Sequence, residues 1–329
     1  MAQTTRRTIL AGGAAAGLVA AAPRAGAAET WPTRPVTVVV PQAAGNSPDV
    51  LCRMLTDRLS RALGQQFVVE NRPGAANVVG TQAVTRAAPD GYTFLFATSA
   101  LLTSNPFTFK KLAYDPLHDL SPVALVARSN HVLAVTPSVP AKTFAELVAL
   151  DKASPGKFSI AVDGPRNLSG LIAQSINKQA GTSFVLVPYN TISAAIQDTL
   201  TGRTQVTIQS ISVAESHVHE GTLRPLAVMG SRRIAALPDV PALAENLPAL
   251  DMQGWFMVLG PAGLPPDIAT KLSAAVGEAI KDPEFRTNAG KLGFEIDPAP
   301  VTPKAAAEFL KREYDATGKA IAELGIEPQ

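Results

Sequence analysis

The chain has 329 residues, of which 46% are hydrophobic and 17% are charged, and its formal net charge is +2. A length of about 300 residues indicates two globular domains, and a net charge near zero excludes the broad basic surface of a nucleic-acid-binding protein. The only cysteine, Cys52, excludes both an internal disulfide and a cysteine-based metal cluster. We expect this cysteine on the buried face of a helix.

The first 27 residues have the pattern of an export signal. A twin arginine at positions 6 and 7 precedes an apolar stretch, residues 9–22, that contains only Ile, Leu, Val, Ala and Gly. That stretch is shorter than the roughly 20 residues that span a bilayer, and Ala-Gly-Ala at 25–27 suits a signal peptidase. We predict a twin-arginine-like signal peptide over residues 1–27 and a periplasmic mature protein; the alternatives are the general secretory route or an N-terminal anchor helix. Cleavage would change the net charge from +2 to −1, since it removes three arginines and no acid.

After this signal, short β-type runs alternate with amphipathic segments, which predicts an α/β fold of parallel sheets flanked by helices. In the first helical segment Ser47 is expected to be the cap and Gly64 the end, and residues 143–146 form a capping-box pattern. The predicted strands are residues 36–40, 67–70, 93–97, 132–136, 158–162, 184–187, 204–208, 225–229 and 255–259. The predicted helices are residues 48–63, 77–87, one that opens at 143, one that ends near 179, 193–201, 266–281, 283–291 and 303–324.

No long Gly/Ser linker divides the mature chain. We therefore predict two domains that exchange chain rather than follow one another. One domain combines residues 28–126 with residues 250–329, and the other covers residues 127–249. The chain would then cross between the domains twice, near Ala127 and near Leu250, and these crossings would act as hinges.

Signatures of catalysis and of cofactor binding are missing from the sequence, which has no G-x-S-x-G elbow, no phosphate loop and no G-x-G-x-x-G after a strand. His217 and His219 are two residues apart, so on a helix they would point to different faces. A solvated helix end therefore explains them better than a metal site does. His118 and His131 have no obvious partners. We predict a protein that is not an enzyme and that uses no cofactor and no metal.

Two loops that connect a strand to a helix stand out instead, at residues 41–49 and 163–170. Their small residues let the backbone approach a ligand, and the helix N-terminus behind each loop offers unpaired N–H groups and a partial positive charge. Together these features predict an anion site, and the alternative is a pair of ordinary connections capped by Ser47 and Ser169. Arg166 adds a planar fork of donors that could hold a carboxylate; alternatively it is a solvated side chain paired with Asp163.

A series of short motifs stands out along the mature chain: WPTRPV at 31–36, ENRPGA at 70–75, APDGYT at 88–93, YDP at 114–116, PAKT at 140–143, VPY at 187–189, SRR at 231–233, LPDVP at 237–241 and GPAG at 260–263. Their order and spacing, from Trp31 to about Gly325, resemble the substrate-binding receptors of tripartite tricarboxylate transporters, also called Bug receptors. The resemblance implies a two-domain type II periplasmic-binding-protein fold with a ligand cleft between the domains.

The resemblance also implies a ligand and a partner. The ligand would be a small carboxylate, such as an organic acid, an aromatic acid or an acidic amino acid. The partners would be the membrane subunits of a tripartite transporter, and we expect a monomer. A ligand sensor that feeds a membrane kinase is an alternative, as is a hydrolase or lyase on the same fold.

The two loops match the family's ligand loops with departures. The histidine that the family often carries in the second loop is absent, and Gln205 and Gln209 stand where acidic residues are expected. The predicted ligand-binding residues are Gln42, Ala43, Ala44, Gly45, Asn46, Ser47, Thr98, Ser99, Asp163, Arg166, Asn167, Leu168, Ser169 and Gln209.

Overall fold

The computed structural model describes residues 31–189, 191–248, 250–296 and 300–328, so the predicted signal peptide lies outside the described residues. The strands in chain order are β1 (Val36–Val40), β2 (Phe67–Asn71), β3 (Thr93–Thr98), β4 (Leu120–Ser129), β5 (His131–Val135), β6 (Ser159–Val162), β7 (Val185–Pro188), β8 (Val206–Ser210), β9 (Arg224–Val228), β10 (Gly254–Pro261) and β11 (Phe294–Glu295). The helices are α1 (Ser47–Leu63), α2 (Val78–Thr85), α3 (Asn105–Thr108), α4 (Phe144–Ala153), α5 (Leu168–Ala180), α6 (Ile192–Leu200), α7 (Ile211–His219), α8 (Pro266–Lys281), α9 (Pro283–Lys291) and α10 (Pro303–Leu324). A π-helical turn (Ala100–Ser104) precedes α3, and a 3-10 turn (Leu243–Glu245) precedes β10.

These strands form two sheets. The first has six strands in the order β11-β4-β10-β3-β1-β2, and the second has five in the order β7-β6-β8-β5-β9. Strands β1, β2 and β3 are mutually parallel, as are β6, β7 and β8, but β10 runs antiparallel to both of its neighbours and β5 does the same in the second sheet. The expectation of parallel sheets therefore holds for three strands of each sheet and fails for the others, because the strands on either side of each chain crossing pair with strands of the opposite direction.

Each predicted strand and helix is present, with ends shifted by two residues at most. The predictions missed β4, β11, α3, α7, the π-helical turn and the 3-10 turn. Strand β4 contains Pro122. Proline makes a strand harder to predict because it has no N–H to donate to the hydrogen bonds between strands. In the structure Pro122 lies opposite Leu259, beside a shift in the register between β4 and β10.

Helices cover both faces of the first sheet. On one face, α1, α8 and α9 pack over a core that includes Cys52, which is fully buried as predicted; burial raises the pKa of its thiol. On the other face, α10 and the π-helical turn pack against Trp255, whose ring meets the Phe309 ring edge-on at 5.1 Å. No helix in the described parts of the chain is long and apolar enough to span a membrane.

The chain passes from the first sheet to the second between β4 and β5, and it returns just before β10. The two crossing segments are joined by side chains. Gln253 donates through Nε2 to Oδ1 of the buried Asn130 at 2.9 Å, and Arg128 donates to Oε1 of Gln253 at 3.1 Å. By contacts, residues 31–329 form one compact unit. The domain boundaries at 126/127 and 249/250 stay a prediction.

Candidate functional site

The topology places the carboxyl edges of the two sheets side by side. Strand β4 is parallel to β3, since both are antiparallel to β10, so β4 ends at the carboxyl edge of the first sheet. Strand β5 is antiparallel to β8, which is parallel to β6, so β5 begins at the carboxyl edge of the second sheet. Only Asn130 separates Ser129, the last residue of β4, from His131, the first of β5. The loops that follow β1 and β6 begin at these two carboxyl edges, which the junction joins, and the carboxyl edges of the strands are where ligands bind in open α/β sheets.

The first loop, residues 41–46, presents small residues at the junction. Residues 43–46 are exposed, whereas Gln42 is half-buried. Ser47 does not cap the helix as predicted, because it is already the first residue of α1. Asn46 occupies the N-cap position, and its side chain makes no capping hydrogen bond. A carboxylate in the first turn of α1 instead accepts a hydrogen bond from the loop.

That carboxylate is Asp49, which is only 2% exposed. Its Oδ2 accepts from the Gly45 N–H at 2.8 Å and from Arg53 Nε at 3.0 Å. Its Oδ1 accepts from Asn71 Nδ2 at 2.9 Å, and the same Asn71 nitrogen donates to the Gln42 carbonyl at 3.0 Å. The network ties the first loop to both the helix behind it and the neighbouring strand β2.

The environment of Asp49 favours its charged form. Burial alone would raise the pKa of this carboxyl, but the hydrogen bonds from Arg53, Gly45 N–H and Asn71 outweigh it and hold the pKa below its ordinary value. The group is therefore ionised at neutral pH. Its negative charge lies in the first turn of α1, where the helix dipole stabilises it.

The Asp49 network leaves two backbone N–H groups of the first loop without a partner. The N–H groups of Ala43 and Ala44 have no acceptor among the described residues, and both residues are exposed. Gly45 has a φ of +83°, a conformation that favours glycine and that turns the loop into the helix. Together with the positive end of α1, these donors form a surface suited to an anion.

The second loop, residues 163–167, folds back onto its own helix. Helix α5 begins at Leu168 with Asn167 at the N-cap position, so Ser169 is not the cap that was predicted. The Ser169 hydroxyl instead accepts from the Asp163 N–H at 2.9 Å and donates to the Asp163 carboxylate. Asn167 Nδ2 donates to the Asp163 carbonyl at 2.7 Å. The polar side chains of this loop thus fix its shape.

A close approach of backbone to backbone requires glycine in the first turn of α5. A Cβ on Gly170 would lie 2.1 Å from the carbonyl oxygen of Gly164. The second loop can therefore lie flat against α5 only because position 170 has no side chain.

Arg166 is half-buried and is not paired with Asp163, so the alternative of an Arg166–Asp163 pair was wrong. Its NH2 donates to the carbonyl of Glu327 at 3.0 Å, in the segment after α10. The reason is the direction of the loop: Asp163 is already occupied by Ser169 and Asn167, while the end of α10 lies beside α5.

Buried polar atoms without partners lie near the same junction. Gln209 is 2% exposed, and its Nε2 has no acceptor among the described residues. Among the same residues, Oε1 of Gln42 has no donor and Nδ1 of His131 has no hydrogen-bond partner. Buried polar groups are nearly always satisfied, so such exceptions call for an explanation. Gln42 and Gln209 were both predicted to bind ligand, and a bound polar molecule would supply partners.

His131 was not predicted to belong to the site. It is the first residue of β5 and lies opposite Ser210 at the end of β8. Burial lowers the pKa of this histidine, and the nearby Asp163 and a hydrogen bond to the Ser129 backbone oppose that effect. The only sequence signal was its place beside a chain crossing, which becomes visible once β4 is recognised.

Of the predicted pair Thr98 and Ser99 at the end of β3, only Ser99 faces a cavity. Thr98 is half-buried and Ser99 is 8% exposed. Ser99 and Leu168 both line a cavity of about 340 Å³ between α5, α10, the π-helical turn and the second crossing segment. The other predicted residues do not line it. Within the described residues, no group of three His, Cys, Asp or Glu side chains could hold a metal ion.

Comparison with known proteins identifies relatives that match most of the chain. The model of the "Tripartite tricarboxylate transporter family receptor" matches residues 51–326. A UPF0065 protein of Bordetella bronchiseptica is 37% identical over 278 residues, which cover 84% of this chain and 82% of that protein. Protein BugT of Bordetella pertussis is 31% identical over 300 residues, 91% of each chain.

Solved structures match the fold over most of its length. Rpa4515 from R. palustris, solved with adipate, superposes with a TM-score of 0.80 at 29% identity and covers 91% of this chain and 100% of its own. The periplasmic binding protein BugD gives a TM-score of 0.77 at 27% identity, with coverage of 91% and 100%. MatC from Rhodopseudomonas palustris, with bound malate, gives 0.75 at 28% identity, with coverage of 88% and 100%. These structures confirm the predicted two-domain α/β periplasmic-binding fold.

Proposed function

Since this chain belongs to the tripartite tricarboxylate transporter receptor family, and is therefore a solute-binding protein rather than an enzyme, we propose that it captures a small carboxylate between the facing edges of its two sheets. We further propose that residues 1–27 direct it to the periplasm. There it would act as a monomer and pass its ligand to the membrane subunits of a tripartite transporter.

The carboxylate assignment rests on the free backbone donors of the first loop. Its front offers the unpaired N–H groups of Ala43 and Ala44, and the positive end of α1 lies behind it. The buried Asp49 accepts from four donors and is paired with Arg53, whose positive charge offsets the negative charge that would repel an approaching anion. Backbone donors at a helix N-terminus bind anions without any cationic side chain.

The second loop would close on the same anion from the other sheet. Its backbone lies at the N-terminus of α5, and Arg166 stands at its outer side. A guanidinium has five donors, and the single bond to Glu327 leaves others available. We propose that Arg166 contributes one of them to the ligand when the loops approach each other.

The relatives support this ligand class. The structures of Rpa4515 and MatC hold adipate and malate respectively, and both ligands are small carboxylates. Gln42 and Gln209 of this chain each have a buried polar atom without a partner, which a bound acid and its hydration water would satisfy.

A thermal-shift screen tests the proposal. Each carboxylate of the panel is compared with its primary amide, which has nearly the same shape and no charge. Ligand at 100 times its dissociation constant should add about 2.7 kcal/mol to the free energy of unfolding, which raises the midpoint by several degrees in a chain of this size. A panel in which no acid stabilises the protein more than its amide does would refute the proposed carboxylate site.

A further inference from the structure

The cavity that Ser99 and Leu168 line is a polar pocket separate from the two anion loops. It measures about 340 Å³, within the range of small-molecule pockets. Its walls come from α5, the C-terminal half of α10, the π-helical turn and the second crossing segment. Most of the lining residues are polar or charged, and none belongs to residues 41–47 or 163–167. The side chains of the cavity itself therefore decide what it can hold.

Two buried serines at the π-helical turn line this cavity with free hydroxyl groups. Ser99, which precedes the turn, is 8% exposed, and Ser104, its last residue, is 5% exposed. Neither hydroxyl has a hydrogen-bond partner among the described residues, and neither oxygen is sealed inside the packing, so both open onto the cavity. The two serines are five residues apart, which is the repeat of a π-helix, so they share one side of the turn. Buried polar groups are nearly always satisfied, and these two therefore indicate a polar occupant.

The register of the strands places Ser99 next to the acidic side of the cavity. Phe256 lies opposite Thr98 in the pairing of β10 with β3, so Trp255, the residue before Phe256, lies beside Ser99. The Trp255 N–H donates a hydrogen bond to the Glu313 carboxylate of α10. Both Trp255 and Glu313 line the cavity. A free hydroxyl and a carboxylate from different elements therefore lie together at this end.

Asp251 and Glu313 make this end of the cavity negative. Burial raises the pKa of Glu313, and the negative charge of Asp251 adds to that effect, whereas Arg128 and Arg312 oppose it. Asp251 also lines the cavity, and its carboxylate has no hydrogen bond or ion pair among the described residues. Two carboxylates that lie close together repel each other. A positively charged group between them would relieve that repulsion.

The other end of the cavity carries lysines that are already engaged. Lys178, in the last turn of α5, donates to the Glu323 carbonyl, and Lys319 lies 3.9 Å from the Glu323 carboxylate. Glu323 is ten residues after Glu313 on α10, a rise of about 15 Å along the helix axis. The two lysines therefore stand far from the acidic pair, where they would repel a second positive charge on the same ligand.

We propose that this cavity is a second binding site, which takes a small molecule with a single primary ammonium group and a polar body. An ammonium group has three N–H donors and no acceptor, and the two serine hydroxyls and the acidic pair are acceptors for it. The polar body of the molecule would lie toward Ser175 and Gln179 of α5. The proposal does not rest on the carboxylate site, because no residue of either anion loop lines this cavity.

Calorimetric titration at pH 7 with aminobutanol, butanediol and putrescine tests this selection. Each compound carries its polar groups at the two ends of the same carbon chain, and a primary amine is protonated at this pH, since its ordinary pKa is about 10. Aminobutanol should bind at least about tenfold more tightly than butanediol, because hydrogen bonds that involve a charged group are the stronger ones. Putrescine should bind more weakly than aminobutanol, because its second ammonium group would meet Lys178 and Lys319.

Two substitutions show whether the amine binds in this cavity. Ser104→Ala removes a hydroxyl that has no partner, and Asp251→Asn removes a charge at an exposed position, so neither should unfold the protein. Each should weaken aminobutanol binding by at least about threefold. The matched control is Asp315→Asn, which removes the same charge from an exposed residue of α10 that does not line the cavity. Its affinity should equal that of the wild type, and thermal unfolding confirms that each variant is folded.

The outcomes decide the proposal independently of the carboxylate site. Equal affinity for aminobutanol and butanediol overturns the ammonium assignment, and putrescine that binds as tightly as aminobutanol overturns the restriction to one ammonium group. Absence of aminobutanol binding, or an equal loss in Asp251→Asn and Asp315→Asn, overturns the site itself. Preferred binding of aminobutanol that is weakened in Ser104→Ala and Asp251→Asn and kept in Asp315→Asn supports it.

Discussion

The network around Asp49 makes a sharp prediction, because every partner of this carboxylate is a donor. Gly45 N–H, Arg53 and Asn71 all donate to it. Asp49→Asn keeps the shape but replaces one oxygen with an NH2 group, which then faces these donors without an acceptor. The substitution also removes the negative charge from the first turn of α1.

The expected loss of stability follows from these contacts. A hydrogen bond to a charged group contributes about 1.5–3 kcal/mol, and a buried donor left unpaired costs about 1–3 kcal/mol. We expect Asp49→Asn to lower the free energy of unfolding by about 2–4 kcal/mol, measured by urea denaturation at pH 7. Carboxylate affinity should fall as well, since Gly45 and Gln42 would no longer be held in place.

The same helix provides the matched control. Asp57 pairs with Arg61 at 2.5 Å on the exposed side of α1, and surface pairs of this kind contribute about 0–1 kcal/mol. Asp57→Asn should therefore change stability little. If Asp49→Asn unfolds at the same urea concentration as Asp57→Asn, the bracing role of Asp49 is refuted.

The pH dependence gives an independent measurement. The pKa of Asp49 is lowered in the folded protein from an ordinary value of 3.8. A carboxyl whose folded pKa is depressed contributes stability above its unfolded pKa and loses it as the pH falls through the folded value. The stability difference between wild type and Asp49→Asn should be constant near neutral pH and shrink below about pH 4. A difference that stays constant down to about pH 2 would contradict this assignment.

Three further predictions concern export, the ligand and the second loop. Replacement of Arg6 and Arg7 by lysine should leave precursor in the cytoplasm, as fractionation and immunoblotting would show; a normal periplasmic yield would mean that the general secretory route serves. Arg166→Ala should weaken the ligand found in the screen by roughly tenfold to a hundredfold, with a midpoint of unfolding close to that of the wild type; an unchanged dissociation constant would exclude a ligand role. Gly170→Ala should destabilise the protein by more than about 2 kcal/mol, since its methyl group would meet the Gly164 carbonyl; wild-type stability would show that the loop can move aside.

Most of the helices and strands could be predicted from the sequence, because the patterns that indicate them lie within single segments of the chain. The valine-rich run of β1, the apolar stripe along α1 and the prolines that open α8, α9 and α10 each lie within one element. Strand β4 was not predicted because Pro122 interrupts its pattern and because its stability comes from pairing with β10, a strand more than a hundred residues away. Its omission also hid the position of His131 at the junction.

The site could be predicted only where a single loop defines it. The small residues of the first loop were visible in the sequence, but the brace was not, because Asn71 comes from the next strand and meets Asp49 only after folding. The caps assigned to Ser47 and Ser169 failed for a related reason. In both helices a side chain of the first turn, Asp49 or Ser169, accepts from an N–H of the preceding loop, and the residue at the N-cap position makes no capping hydrogen bond.

The lining of the cavity shows why ligand choice is harder to predict than ligand class. An anion held by backbone N–H groups gains a similar charge-assisted contribution, about 1.5–3 kcal/mol for each bond, whatever is attached to the carboxylate. Discrimination must therefore come from the rest of the ligand. The cavity that Ser99 and Leu168 line shows the difficulty, because its walls come from α5 and α10, which are more than a hundred residues apart in the sequence and touch only in the folded protein.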